Sequence, residues 1–182
     1  VDRQRIDHQC FRQQLDRVLA GRPPTDDDLR QLPYALQVIK ETLRLYPAAP
    51  FYVRDALGPD RLGGFDVPAG AAVMLSPYYT HRHPAFWDDP DVFDPDRWTR
   101  EKEAARHGHA YHPFAAGPRI CIGNNFSLLE SHLLLAVLAQ RFAPGEPEDA
   151  ITAVRGRVFH EGVLRALLED QDAGRILPAV VD

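Results

Sequence analysis

Phe114-Ala115-Ala116-Gly117-Pro118-Arg119-Ile120-Cys121-Ile122-Gly123 is the stretch on which the reading of this chain turns. It leads into a long apolar run with helical periodicity, Asn125 to Phe142, so Cys121 is expected one or two residues ahead of a helix. Unpaired backbone N–H groups and the helix dipole favour negative charge at that position, which stabilises a thiolate. Gly117 and Gly123 permit tight turns and the close approach of a large flat ligand. Arg119 sets a fixed cation two residues from the sulfur, suited to a carboxylate, and Phe114 offers an aromatic wall. A lone cysteine is more often a small buried hydrophobe. The pattern F-x-x-G-x-R-x-C-x-G weighs against that reading, since at average residue usage it would arise by chance in roughly one such chain in tens of thousands.

Working outward, Leu128, Leu129, Leu133, Leu134, Leu135, Val137 and Leu138 cover most of the helix after the loop, which predicts a core helix. Upstream, Phe11, Leu15, Val18 and Leu19 predict a first helix over about His8–Ala20, stopped by Gly21, Pro23 and Pro24. Thr25 followed by Asp26, Asp27 and Asp28 reads as an N-cap with acids in the first turn. Pro33 opens a second long helix, with Leu36, Ile39, Leu43 and Tyr46 as its apolar stripe and Pro47 as its stop. Phe51-Tyr52-Val53, Phe65-Asp66-Val67 and Ala72-Val73-Met74-Leu75 are short β-type runs separated by turns, together predicting a small, strongly bent sheet. Prolines and aspartates from Pro84 to Asp96 prevent regular structure. Phe86, Trp87, Phe93 and Trp98 nevertheless give that coil large apolar anchors. The fold class is therefore mainly α with a small β-sheet (α+β). Residues 1–142 form one portion, and 143–182 an unassigned segment with a helix near Val163–Glu169.

Composition narrows the function. The chain has 182 residues, 45% hydrophobic and 26% charged, with a net charge of −5. These are globular proportions, and the acidic balance argues against a nucleic-acid binder. Two cysteines make no disulfide framework and suit a reducing compartment. The longest wholly apolar run, Leu133–Ala139, falls far short of the ~20 residues that span a bilayer, so a membrane role is not expected and a cytoplasmic location is. No signal peptide is read, and the first residue is valine. His81 with His83, or His107 with His109 and His112, offers imidazoles for zinc. Structural zinc usually takes four ligands with cysteine pairs, and the chain has no CxxC.

A thiolate, a cation, an aromatic wall and room for something flat describe a haem-thiolate site. The loop resembles the cysteine-ligand loop of the cytochrome P-450 family, and Phe126 and Glu130 continue the likeness into the helix. Glu41-Thr42-Leu43-Arg44 resembles that family's ExxR motif, with Glu41 and Arg44 close enough on one helix to pair. Alone, such a pair is commonly a solvated salt bridge. Here Pro95-Asp96-Arg97-Trp98 follows at a family-like distance, and Arg97 resembles the third member of the family's Glu–Arg–Arg network. The resemblance covers roughly Phe11 to Phe142.

It implies a partial cytochrome P-450 fold and a monooxygenase that inserts one atom of O2 into a small or medium apolar substrate. The implied cofactor is haem b (iron-protoporphyrin IX), with Cys121 as ligand to its iron and Phe114, Gly117, Arg119, Gly123 and Arg54 around it. Arg54 is otherwise an ordinary surface arginine. Electrons would come from a ferredoxin or a flavoprotein reductase. Ala49, Pro50, Phe51 and Tyr52 would line the substrate pocket, or else belong to an exposed edge strand. Arg100, Lys102 and Arg106, interleaved with Glu101 and Glu103, form either a docking face for an acidic electron donor or a solvated surface.

Departures are also visible. Family members are more than twice as long and carry an A/G-G-x-D/E-T-T run that this sequence lacks. Ala115 and Ala116 stand where glycine is common, and 143–182 does not resemble the family's closing β-hairpins. The chain is thus expected to be a fragment or a truncated relative. The rival readings are a haem-binding remnant without oxygen activation and an inert packing domain.

Overall fold

The computed structural model describes residues 7–141. The helix expected near Val163–Glu169 and the segment 143–182 lie outside them. Helix α1 spans His8–Leu19 and ends where Ala20 takes a left-handed conformation, φ 47°. The Asp7 carboxylate caps it, accepting from the Cys10 N–H at 2.8 Å. Leu15 and Leu19 turn inward as the periodicity predicts and meet Leu32, Ala35 and Ala136, with Phe11, Val18 and Leu135 packed around them. Thr25 opens a short 3-10 turn over Asp26–Gln31. There the Asp28 carboxylate accepts from the Thr25 N–H and hydroxyl at 2.9 and 2.8 Å and pairs with Arg22 at 2.6 Å.

Helix α2 spans Pro33–Leu45, with proline where its missing N–H leaves no bond unmade. Its predicted apolar stripe is only partly the buried one. Ile39 is buried, Leu36 and Leu43 are half-buried, and Tyr46 is 70% exposed. The helix instead turns Glu41 and Arg44 fully inward, both at 0% exposure. Periodicity of apolar residues could not show this, because the partners of the charges lie in a distant coil.

The strands are β1 (Tyr52–Asp55), β2 (Asp60–Leu62), β3 (Phe65–Val67) and β4 (Ala72–Leu75). They form two separate antiparallel ladders, not one bent sheet: β1 pairs with β4 and β2 with β3. Arg54 stands opposite Val73 in the first. The second is a tight hairpin across Gly63 and Gly64, whose φ values of 57° and 90° are those the two-residue turn demands. Strand β2 escapes prediction because Gly58, Pro59 and Asp60 read as a turn.

After the short helix α3 (Pro77–Thr80) the aromatic coil packs down as expected, around Trp87, Trp98, Ala110 and Tyr111. Phe93 is only half-buried, and Phe86 is 42% exposed, stacked on His107 at 5.6 Å. A 3-10 turn over Pro95–Trp98 leads into helix α4, Arg100–Ala105, which the charged composition had concealed. Helix α5 spans Asn124–Arg141. It is not buried all round: only His132 and Ala136 are buried, while Phe126, Leu129 and Leu134 are 68%, 40% and 54% exposed. One side packs on the core shared with α1 and α2, and the rest of its apolar circumference stays open among the described residues. No helix among those residues is long and apolar enough to cross a membrane.

Candidate functional site

The buried charges of α2 organise the coil that leads to the cysteine loop. Arg44 donates through Nε and Nη2 to the two Glu41 carboxylate oxygens, each at 2.8 Å. Its Nη1 also reaches the carbonyls of His81 and Pro90 at 2.9 and 2.6 Å, and Nη2 that of Val92 at 3.0 Å. Glu41 accepts from the Asp94 N–H at 2.8 Å and from the Trp98 indole at 3.0 Å. Arg97 Nε stands 3.4 Å from Glu41, an ion pair without hydrogen-bond geometry, while its Nη2 donates to the Asp89 carbonyl at 2.8 Å. The structure thus brings Glu41, Arg44 and Arg97 together and ties them to the coil backbone.

Arg106 lies between the rings of Trp87 and Trp98, 4.3 and 4.4 Å from their centroids, and donates to the Arg97 carbonyl at 2.6 Å. It is half-buried, so it is not the freely solvated surface cation that its charged neighbours suggest. Glu103, from the same charged stretch, pairs with Lys40 at 2.5 Å.

The cysteine loop closes on itself. The Cys121 N–H donates to the Phe114 carbonyl at 2.9 Å, and the Ile120 N–H to that of Gly117 at 3.1 Å. Gly117 sits at φ 70°, where glycine is relaxed, but Ala115 is held at φ 63°. An L-residue with a Cβ carries about 1–2 kcal/mol of strain there. Ala115→Gly should therefore stabilise the chain by about 0.5–1 kcal/mol, less than the full strain because glycine also gains freedom when unfolded. A rise in the urea midpoint would show it; a fall would mean the alanine methyl makes contacts that outweigh its strain.

Cys121 is exposed, with Ile122 and Gly123 between it and α5. A Cβ at Gly117 would meet nothing within 4 Å, and one at Gly123 only the Cys121 sulfur at 3.8 Å. Ile120 and Ile122 are 51% and 104% exposed. Arg119 is exposed and enters no side-chain hydrogen bond or ion pair among the described residues. One exposed soft sulfur, one exposed cation and two exposed isoleucines within a single loop are a donor set whose chemistry fits a flat iron macrocycle with carboxylates. Phe114 is half-buried at the base of the loop.

The outlying candidates are placed less tellingly. Arg54 is half-buried on β1, donates to the Val53 carbonyl at 2.9 Å and covers the Tyr52 ring at 4.9 Å. Ala49, Pro50 and Phe51 are exposed, with Tyr52 half-buried beside them. A cavity of about 390 Å³ lies elsewhere, lined by Trp87, Asp94, Arg97, Lys102 and Arg106 among others. Among the described residues no group of three or more His, Cys, Asp and Glu is placed to hold a metal ion. The Nδ1 atoms of His83 and His107 are taken up by the amides of Ala85 and His109, and His81 is buried.

The family model described as cytochrome P450 matches residues 4–155. This chain belongs to the cytochrome P450 family. Among its relatives, cytochrome P450 4V2 of Mus musculus is 41% identical over 132 residues, which make up 71% of this chain and 25% of that protein. Cyclooctatin synthase of Streptomyces melanosporofaciens is 41% identical over 129 residues, 71% of this chain and 28% of that one. The solved cytochrome P450DA heme domain superposes with a TM-score of 0.67 at 39% identity, covering 69% of this chain and 28% of that one. The chain spans about a quarter of the length of the curated relatives it matches, and its mainly helical architecture with small antiparallel ladders is a partial P450 fold.

Sequence reasoning overlooked two parts of this P450 portion. Trp98 reads from the sequence as an apolar anchor, which leaves its indole N–H, the donor to Glu41, without a role. His81 and His112 read from the sequence only as candidate zinc ligands, and nothing in the neighbouring residues signals that His81 is buried. Burial lowers the pKa of His81 from 6.5 to about 4, with the neighbouring His112 adding to the shift; burial lowers that of His112 and of His132 as well.

For each of these bases the unfolded chain binds protons that the folded chain refuses. Stability should therefore be fully present above pH 6.5 and be lost as the pH falls from there toward 4. For His81 alone the loss is about 2 kcal/mol by pH 5 and about 3 kcal/mol once the pH is below 4. Urea midpoints at pH 7.5 and 5 measure it, and equal midpoints would show that these rings charge without cost.

Proposed function

We propose that this chain carries the haem-thiolate portion of a monooxygenase, in which Cys121 would supply the thiolate ligand to the iron of haem b. The observation that carries this reading is the exposed Cys121 in a loop closed by its own amide, ahead of α5 and two residues after Arg119, which pairs with nothing among the described residues. Bound haem supplies reductive activation of O2 and transfer of one oxygen atom to substrate, and a thiolate ligand favours O–O cleavage. The chain's own residues do the holding. The loop would present the sulfur, Gly117 and Gly123 would allow a flat ring to approach the backbone closely, and Phe114 would offer it an aromatic wall. Arg119, with Arg54 as a second cation, would meet the propionates. Glu41, Arg44 and Arg97 would keep the coil behind the loop from shifting.

In this reading the substrate is a small or medium apolar molecule, near Ala49, Pro50, Phe51 and Tyr52. A ferredoxin or flavoprotein reductase delivers the electrons, and the protein works in the cytoplasm. The family at large supports a monooxygenase, and the matched lengths support a part of one.

The test is to load the chain with haem, reduce it and add carbon monoxide. The strongly red-shifted Soret band of a thiolate complex is expected, and a band at the unshifted position would overturn the assignment. A product assay with a reductase and O2 then separates catalysis from binding. Haem binding without turnover would favour a haem protein that activates no oxygen.

A further inference from the structure

One buried imidazole stands between the charge cluster of α2 and the cysteine loop. His81 follows α3 and is 0% exposed. Its main-chain carbonyl is gripped by Arg44 Nη1 at 2.9 Å. Its ring reaches the other way, placing Nε2 2.9 Å from the backbone nitrogen of His112. An amide nitrogen can only donate, so Nε2 accepts, and in the neutral ring the proton sits on Nδ1. That Nδ1 is buried without a hydrogen-bond partner among the described residues; the main chain of Leu43 and Arg44 faces the ring but offers no bond of proper geometry. A buried donor left unpaired is costly, so this tautomer is held by the bond on the other side.

The ring is also fixed by packing, on Tyr111 at 5.1 Å and edge-on to His112 at 5.2 Å. Tyr111 in turn donates to the Lys40 carbonyl of α2 at 3.2 Å. Beyond His112 the links continue. Its carbonyl accepts from the Ala115 N–H at 3.2 Å, and the Phe114 carbonyl takes the Cys121 N–H. An unbroken series of contacts therefore runs from Arg44 to Cys121, in which the His81 ring makes the link to the His112 backbone and the Tyr111 hydroxyl on the Lys40 carbonyl is a parallel tie.

We propose that His81 is a positioning residue: its ring, accepting from the His112 amide, sets where the Cys121 loop begins relative to the buried Glu41–Arg44 pair. Only the spectroscopic part of its test rests on the reading of Cys121 as a haem ligand. His81→Phe keeps a ring of similar size and removes the acceptor. His81→Gln restores an acceptor where Nε2 stood.

In the 182-residue chain, His81→Phe should speed hydrogen exchange at the His112, Ala115 and Cys121 amides by about tenfold and leave the α2 amides within about twofold. His81→Gln should bring the loop amides back to within about threefold of the wild type. In the haem-loaded, carbon monoxide-bound form, His81→Phe should move part of the red-shifted band to the unshifted position, and His81→Gln should reverse this. Loop exchange unchanged in His81→Phe, or raised equally along α2, would overturn the proposal. Should either variant fail to fold, nitrogen-15 NMR of the wild-type ring decides: a proton on Nδ1 at pH 7.5 supports the proposal and a proton on Nε2 overturns it. If the wild type itself gives no red-shifted band, the haem assignment fails while the exchange and tautomer results still decide the role of His81.

Discussion

Glu41→Ala should destabilise the chain by about 3–5 kcal/mol, because it strands the Arg44 guanidinium at 0% exposure without its counter-charge. That is a large fraction of the 5–15 kcal/mol a typical domain possesses, so much of the population would be unfolded under mild denaturant. Exposed Thr42, the next residue on the same helix, gives the control: Thr42→Ala should stay within about 0.5 kcal/mol. Replacing both charges with apolar residues often relieves the cost of a buried pair. Here it should not. The carbonyls of His81, Pro90 and Val92 and the donors of Asp94 and Trp98 all depend on Glu41 and Arg44, and would be left unsatisfied in the double variant. The double variant should be about as unstable as either single one. Urea unfolding of the three variants measures this, and a Glu41→Ala midpoint close to wild type would sink the view that this cluster holds the coil.

Cys121→Ala should abolish the red-shifted carbon monoxide band of the haem-loaded chain completely, because no other soft donor stands on the loop. The other thiol, Cys10, lies on α1, half-buried and 3.8 Å from the Gln14 amide nitrogen. Cys10→Ala should leave the band intact. Loss of the band in Cys10→Ala, or its survival in Cys121→Ala, would assign the iron to the wrong sulfur. Cys121→Ala should leave the urea midpoint of the haem-free chain within about 0.5 kcal/mol of wild type, since the exposed thiol contributes little packing there. The predicted effect is thus on the ligand field and not on the fold, which separates it from the outcome at Glu41.

Local chemistry was legible in the sequence wherever a residue's partner was a near neighbour. The stop of α1, the strands β3 and β4, and the spacing of Glu41 with Arg44 all follow from short-range rules. The loop's pattern was legible because cysteine, arginine and glycine at fixed offsets are rare by chance. What stayed hidden depended on partners far along the chain. Tyr46 looks like a continuation of the α2 stripe, and only the coil from His81 to Trp98 explains why Glu41 and Arg44 took the interior instead. The leucines of α5 promise burial on every side, while the described residues cover one. Arg106 reads as a surface cation until the two indoles that enclose it are brought together from Trp87 and Trp98.

Those two indoles are the only tryptophans in the chain, and both belong to the cluster around Glu41, 5.6 Å apart. Intrinsic fluorescence is therefore a local gauge. A shift of emission to longer wavelength reports water reaching the Glu41–Trp98 bond, not the parting of α1 from α5. A melt followed by emission and one followed by far-ultraviolet dichroism would coincide only if the aromatic coil and the helical core let go together.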